Sequence, residues 1–145
     1  MTALNQLQQT AVALTQNTFD NNFNTYRELC IYRGAILTKA AEKFEALDMV
    51  AEADALNELT DQTFVEDATE EEMGTAYVFA CGIDESIGNN YDTNTIVPAV
   101  LWLLLILETN RAIVQVSNED ESETARLEAD LVKGIVAKMV NNVIA

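Results

Sequence analysis

From Ile96 to Leu107 the chain runs for twelve residues without a charge, and the sequence stays apolar on nearly every side of a helical projection from Val97 until Glu108. A helix with no polar face has no side to turn to water, so other elements must wrap it. Asn94 or Thr95 can cap its start, Pro98 is tolerated in a first turn, and Glu108 and Arg111 close the apolar run. A bilayer-spanning helix needs about 20 apolar residues, so a run of this length is expected to be a buried central helix. Whatever else the chain builds must cover Val97–Val116.

The remaining sequence supplies further helices. Leu4, Leu7, Ala11 and Leu14 recur at steps of three and four, a short amphipathic helix with Thr2 as a candidate cap. An Asn/Thr-rich patch follows from Gln16 to Thr25. Phe19, Phe23, Tyr26, Cys30, Leu37, Ala40, Phe44 and Leu47 keep a heptad-like spacing interrupted only by Arg33. They predict one rod from about Asp20 to Leu47, roughly 40 Å long at 1.5 Å per residue. Met49, Ala53, Leu56 and Thr60 predict another helix. Thr69 with Glu72 forms a capping-box pattern, and that helix presents Met73, Ala76, Tyr77, Ala80, Cys81 and Ile87 before Gly88-Asn89-Asn90 ends it. Ser117 and the acids Glu119–Glu123 mark a turn and a last helix start. Leu127, Leu131, Val132, Ile135, Val136, Met139, Val140 and Val143 then form one broad apolar face. With one proline and five glycines, and no strand alternation, the expectation is all-α. It is a single domain over residues 1–145, a bundle of five or six helices around the central one. The last helix and the helix after Thr69 are expected to wall it, and the spare length of the rod is expected to lie against another copy of the chain.

The chain has no histidine, which removes the commonest general base and pH switch. Its two cysteines, Cys30 and Cys81, fall in apolar helical patterns and read as reduced, buried thiols. Gly82 and Gly88 are isolated, so there is no glycine-rich phosphate loop, and Ser86 has no histidine to activate it. The first residues lack a basic start and a continuous apolar run, so no leader is expected, and the reading is a protein of the cytoplasm, or of a virion if its source is viral.

Phe44–Asn110 contains no lysine or arginine but fifteen acids, so nearly all of the formal net charge of −16 falls there. Such a surface repels nucleic acid and anionic membrane and attracts basic protein surfaces. Glu45, Asp48 and Glu52 are expected to form one helical stripe. Asp54, Glu58 and Asp61 form a second, and Glu66, Asp67, Glu70, Glu71 and Glu72 a cluster. Together they are the candidate partner-binding face. No catalytic residue, metal or cofactor is assigned. The alternative is a Mg²⁺ site, in which a chain folding back near Asp48–Glu52 brings Glu42 and Glu45 opposite Glu58 and Asp61, oxygen ligands that suit the ion. This E-x-x-E … E-x-x-D spacing, over about twenty residues, resembles that of the all-α nucleoside triphosphate pyrophosphohydrolases of the MazG type. The resemblance implies Mg²⁺-dependent hydrolysis, and it departs at Ala41, where that family commonly has a further Glu.

The leading functional expectation is a non-enzymatic acidic protein acting through protein–protein contacts, an oligomeric assembly component of the adaptor or connector kind. The second is an acidic mimic of DNA that occupies a nuclease or DNA-binding protein. The third is the pyrophosphohydrolase.

Overall fold

The central helix is where the apolar run places it. In the computed structural model α5 spans Ile96–Val116, and each residue from Ala99 to Ile106 is at most 3% exposed. The structure describes residues 3–21, 23, 25–92 and 95–140. These form six α-helices in chain order: α1 (Ala3–Asn21), α2 (Tyr26–Ala46), α3 (Val50–Gln62), α4 (Glu70–Gly88), α5, and α6 (Glu119–Met139). By length and composition α5 would also pass for a membrane-crossing helix, since it continues beyond the apolar run. In this fold 67% of its most apolar window is buried against the rest of the chain. Asn94 lies outside the described residues. Thr95 holds the cap position with extended backbone, but its hydroxyl donates to Asp92 O rather than accepting from the helix.

Two helices, not one, organise the packing. α5 is flanked by α1, α2 and α6, while α2 packs on α3 and α4 as well as on α5. The helix after Thr69 therefore leans chiefly on α2, not on α5 as expected. The α2 side chains that make this double role possible are Leu29, Tyr32, Ile36, Leu37, Ala40 and Phe44, all at most 1% exposed. They spread over more than one face, so α2 has two buried sides.

The predicted rod is two helices. Its first part belongs to α1, which runs on to Asn21, and α2 restarts at Tyr26. Thr25 is extended and forms a capping box: its hydroxyl accepts from the Glu28 amide, and the Glu28 carboxylate accepts from the Thr25 amide, both at 3.2 Å. Phe23 sits between the helices. Its ring stacks on Tyr32 at 4.7 Å and meets Phe79 of α4 edge-on at 5.1 Å. The Asn/Thr patch and Phe19 fall largely outside the described side chains. With α2 only 21 residues long, the spare length that suggested a second copy is gone.

Thr69 caps α4 as expected, and Asn118 caps α6 by the same reciprocal bonds to Glu121, each 2.9 Å. The inward face of α6 is turned from the expected one. Val132, Val136 and Met139 are buried, but Ser122, Ala125 and Glu128 take the inward positions nearer its start, leaving Leu127 64% and Leu131 45% exposed. Glu128 turns in because Arg33 of α2 lies inside the bundle to meet it. Val143 lies outside the described residues.

Candidate functional site

The acidic block has no cations of its own, yet the fold brings them to it from both flanks. Arg27 of α2 reaches the α3–α4 link, donating to Asp67 Oδ1 at 2.8 Å, to the Asp67 carbonyl at 2.9 Å and to both Glu72 oxygens at 2.9 Å. Lys43 pairs with Asp84 at 2.9 Å, Lys138 of α6 with Glu52 at 2.8 Å, and Arg111 with Glu108 at 2.8 Å. All but the Arg111–Glu108 pair, which lies within α5, join separate elements, and they withdraw several expected face residues from free duty. Glu52 is buried beneath Lys138, while Asp67 and Glu72 belong to the Arg27 clamp. Nor do Glu45, Asp48 and Glu52 form one stripe, because the helix breaks between them. Asp48 takes a left-handed φ of 59°, a conformation aspartate tolerates better than most residues.

Glu45, Asp48, Asp54, Glu58, Asp61, Glu66, Glu70 and Glu71 are exposed, and among the described residues none has an ion-pair partner. Asp54, Glu58 and Asp61 line the outer side of α3 at steps of four and three, as the sequence predicts. The chain does fold back so that α2 and α3 pack together, but what these helices bury is mainly apolar, Ala40, Phe44, Ala53 and Leu56 included. Glu42 and Glu45, with Glu58 and Asp61, stay outside that contact, and Glu42 lies 3.7 Å from Lys39. No group of three or more metal-binding side chains is assembled among the described residues, so the E-x-x-E and E-x-x-D pairs are not gathered around one ion.

Hydrogen bonds from the flanking cations, with their charge, lower two of these carboxyls. The Arg27 hydrogen bonds, helped by the Thr69 amide, hold the Glu72 carboxyl down at about 2. Lys138 likewise lowers Glu52. Because Glu72 binds its proton less readily in the fold than its ordinary value of 4.5 allows, the Arg27 contact stabilises fully above that pH and fades as pH falls toward about 2. The gap in urea midpoint between the wild type and Arg27→Gln is therefore expected to be widest near neutrality and to close across that window. A gap independent of pH would contradict the clamp.

Beside the acids lies a feature the sequence reading missed. A half-open groove of about 390 Å³ runs between α2, the end of α3, the α3–α4 link and α4. Its floor and walls include Ile31, Ala35, Val65, Phe64, Met73 and Tyr77. Thr38, Thr60 and Thr63 also line it, but each hydroxyl donates back to its own helix, to the carbonyls of Gly34, Leu56 and Leu59, at 2.8 to 3.0 Å. The groove thus offers apolar contact area, and its threonine protons are already committed. Cys30 borders it, and burial pushes its thiol up, away from the reactive thiolate. The neighbouring Tyr26 hydroxyl is pushed up to about 12, first by burial and then by Cys30.

A buried polar contact also joins three helices. Arg33 Nη1 lies 2.8 Å from Glu128 Oε2 in ion-pair contact and donates to Asn110 Oδ1 at 3.2 Å. Burial raises the Glu128 carboxyl while Arg33 pulls it down. Arg33 shows in the sequence only as an interruption of an apolar stripe, and nothing local points to Glu128. This contact is closed to solvent and offers no access for a substrate.

Comparison of the chain with family models, with curated proteins and with solved structures finds no match. The functional reading therefore rests on the acidic surface and the groove.

Proposed function

We propose that the protein is a non-enzymatic, acidic helical component that works by binding a basic protein surface, as an adaptor or connector within a larger assembly. The observation that carries this reading is the surplus of exposed acids. Among the described residues, six of the chain's eight cations enter ion pairs. Even so, Glu45, Asp48, Asp54, Glu58, Asp61, Glu66, Glu70 and Glu71 face solvent uncompensated. A surface of this sign raises the encounter rate with positively charged partners and disfavours nucleic acid and anionic membrane. The reading places the protein in the cytoplasm, or in a virion if it is viral.

Self-assembly is supported by a separate observation, the exposed Leu127 and Leu131 on α6. Two copies would carry like charge, so association through this apolar stripe should strengthen with salt, whereas binding of a basic partner should weaken.

The test is capture from the cells that make the protein, with the native mass of the eluate. It compares the wild type with a variant in which Asp54, Glu58, Asp61 and Glu66 are all replaced by Lys. A basic partner retained by the wild type and lost from the variant is expected. Identical partners in both would sink the proposal, and capture of a nuclease would move it to mimicry of nucleic acid.

A further inference from the structure

Gly34 on α2 and Gly74 on α4 both line the apolar groove, and a Cβ built on either meets no heavy atom within 4 Å. Glycine inside a helix carries a stability cost relative to alanine. Close approach of two backbones would account for that cost, but no such approach exists at either position. What the two missing side chains do is leave the groove open. Gly82 and Gly134 are equally uncrowded but lie outside it, which makes them useful controls.

Three large apolar side chains of the groove face water: Phe64 is 58%, Tyr77 51% and Met73 38% exposed. Apolar exposure gathered at one concave place marks an interaction site more strongly than scattered exposure does. Methionine and aromatic rings also adapt well to a partner's side chains. The sequence neighbours of the lining residues supply the charge. Asp61 follows Thr60, Glu66 follows Val65, and Glu70 and Glu71 lie one helical turn or less before Met73; all four acids are exposed. The nearby cations are already engaged, Arg27 by Asp67 and Glu72, and Lys39 by Glu42 with its ammonium 5.0 Å from the centre of the Tyr77 ring.

These features select among occupants. The acidic rim repels fatty acids and other anionic amphiphiles. An extended peptide needs donors for its own carbonyls, and the groove walls are helices whose threonine hydroxyls have already given their single protons to their own backbones. A segment that closes its own backbone hydrogen bonds escapes that requirement, and helix-in-groove docking is the recognition mode that uses one. Resting on the reading of a basic partner, we propose that the groove anchors a cationic amphipathic helix of that partner. Its apolar face enters between Gly34 and Gly74, and its flanking Lys or Arg residues meet Asp61, Glu66, Glu70 and Glu71.

Calorimetric titration with synthetic helical peptides of about 18 residues, roughly five turns, tests this. One peptide carries Leu and Trp along one face and Lys elsewhere. A second keeps the Lys but replaces the apolar face with Gln and Ser, and a third keeps the apolar face but replaces Lys with Gln. The first is expected to bind at least about tenfold more tightly than either of the others. Gly74→Leu, which fills the groove, and Phe64→Ser, which removes its exposed lip, are each expected to weaken that binding by about tenfold or more, with helicity by circular dichroism unchanged. Gly82→Leu should leave it unaltered. Replacing Asp61, Glu66, Glu70 and Glu71 together with Lys should abolish it. Unchanged affinity in both groove variants, with loss on charge reversal, would overturn the groove while leaving the acidic reading standing. Loss in the groove variants with none on charge reversal, or equal binding of the uncharged peptide, would overturn the acidic reading and this inference with it.

Discussion

Replacing Arg33 with alanine is expected to cost about 3–5 kcal/mol of folding stability, because it strands the carboxylate of Glu128 inside the bundle. The two side chains are 5% and 9% exposed, and they join α2 to α6 across the Asn110 amide of α5. Attraction within such a pair offsets the cost of removing both charges from water, and loss of one partner leaves that cost unopposed. Two further results distinguish this from ordinary loss of packing. Arg33→Met combined with Glu128→Leu should recover most of the stability, since an apolar pair of similar volume carries no desolvation cost. The Arg33→Ala penalty should also shrink as pH falls. Burial already raises the proton affinity of Glu128. Without Arg33 the folded protein holds that proton to a higher pH than the unfolded chain does, so acid favours folding. Urea unfolding at two pH values measures all three. A loss below about 1 kcal/mol in the single variant, the value of an ordinary exposed pair, would contradict the buried pair.

Trp102→Ala is expected to cost a similar amount, about 3–5 kcal/mol, through lost burial and the cavity left behind. Trp102 is fully buried at the middle of α5, where Leu101, Leu103, Leu105 and Ile106 are buried too. Its indole nitrogen is also buried, with no hydrogen-bond partner among the described residues. A buried donor left unsatisfied costs about 1–3 kcal/mol. Trp102→Phe keeps most of the ring contact and deletes that donor, so it should retain most of the stability that alanine loses. Because this is the chain's single tryptophan, unfolding is followed by far-ultraviolet circular dichroism. Equal losses in the two variants would contradict the packing described for α5. For a domain whose total stability is about 5–15 kcal/mol, either alanine substitution takes a large share.

The parts of the fold that were legible in the sequence depend on local physics. α5 could be placed because an all-apolar helix has one solution, burial. The start of α4 could be placed because a capping box is written within four residues, Thr69 to Glu72. The same signal stands at Thr25 and Glu28, and at Asn118 and Glu121. At Thr25 an apolar period that continues across the break masks it, so Phe23 falls into the stripe although it is the pin between two helices. The inward face of α6 is not legible locally, because hydrophobicity alone favours Leu127 and Leu131, whereas Glu128 is held inward by a residue 95 positions earlier. The candidate site divides in the same way. That the block is acidic is plain from composition, and Asp54, Glu58 and Asp61 lie on one outer side of α3 as helical spacing requires. Which acids remain free depends on Arg27, Lys43 and Lys138, whose partners are set only by the fold. The groove depends on two glycines in different helices, and no local pattern relates Gly34 to Gly74.

The acids left unpaired at the surface are the basis of the functional account, and the ionic-strength dependence of partner binding tests them most directly. Raising salt from about 0.01 M to about 1 M shortens electrostatic reach from roughly 30 Å to roughly 3 Å. Titration of the captured basic partner across that range should show affinity falling steadily. The dependence should flatten in the variant with Lys at positions 61, 66, 70 and 71. Affinity that holds constant or rises with salt would mean that apolar contact alone joins the two, and that the exposed acids do no more than keep the protein in solution.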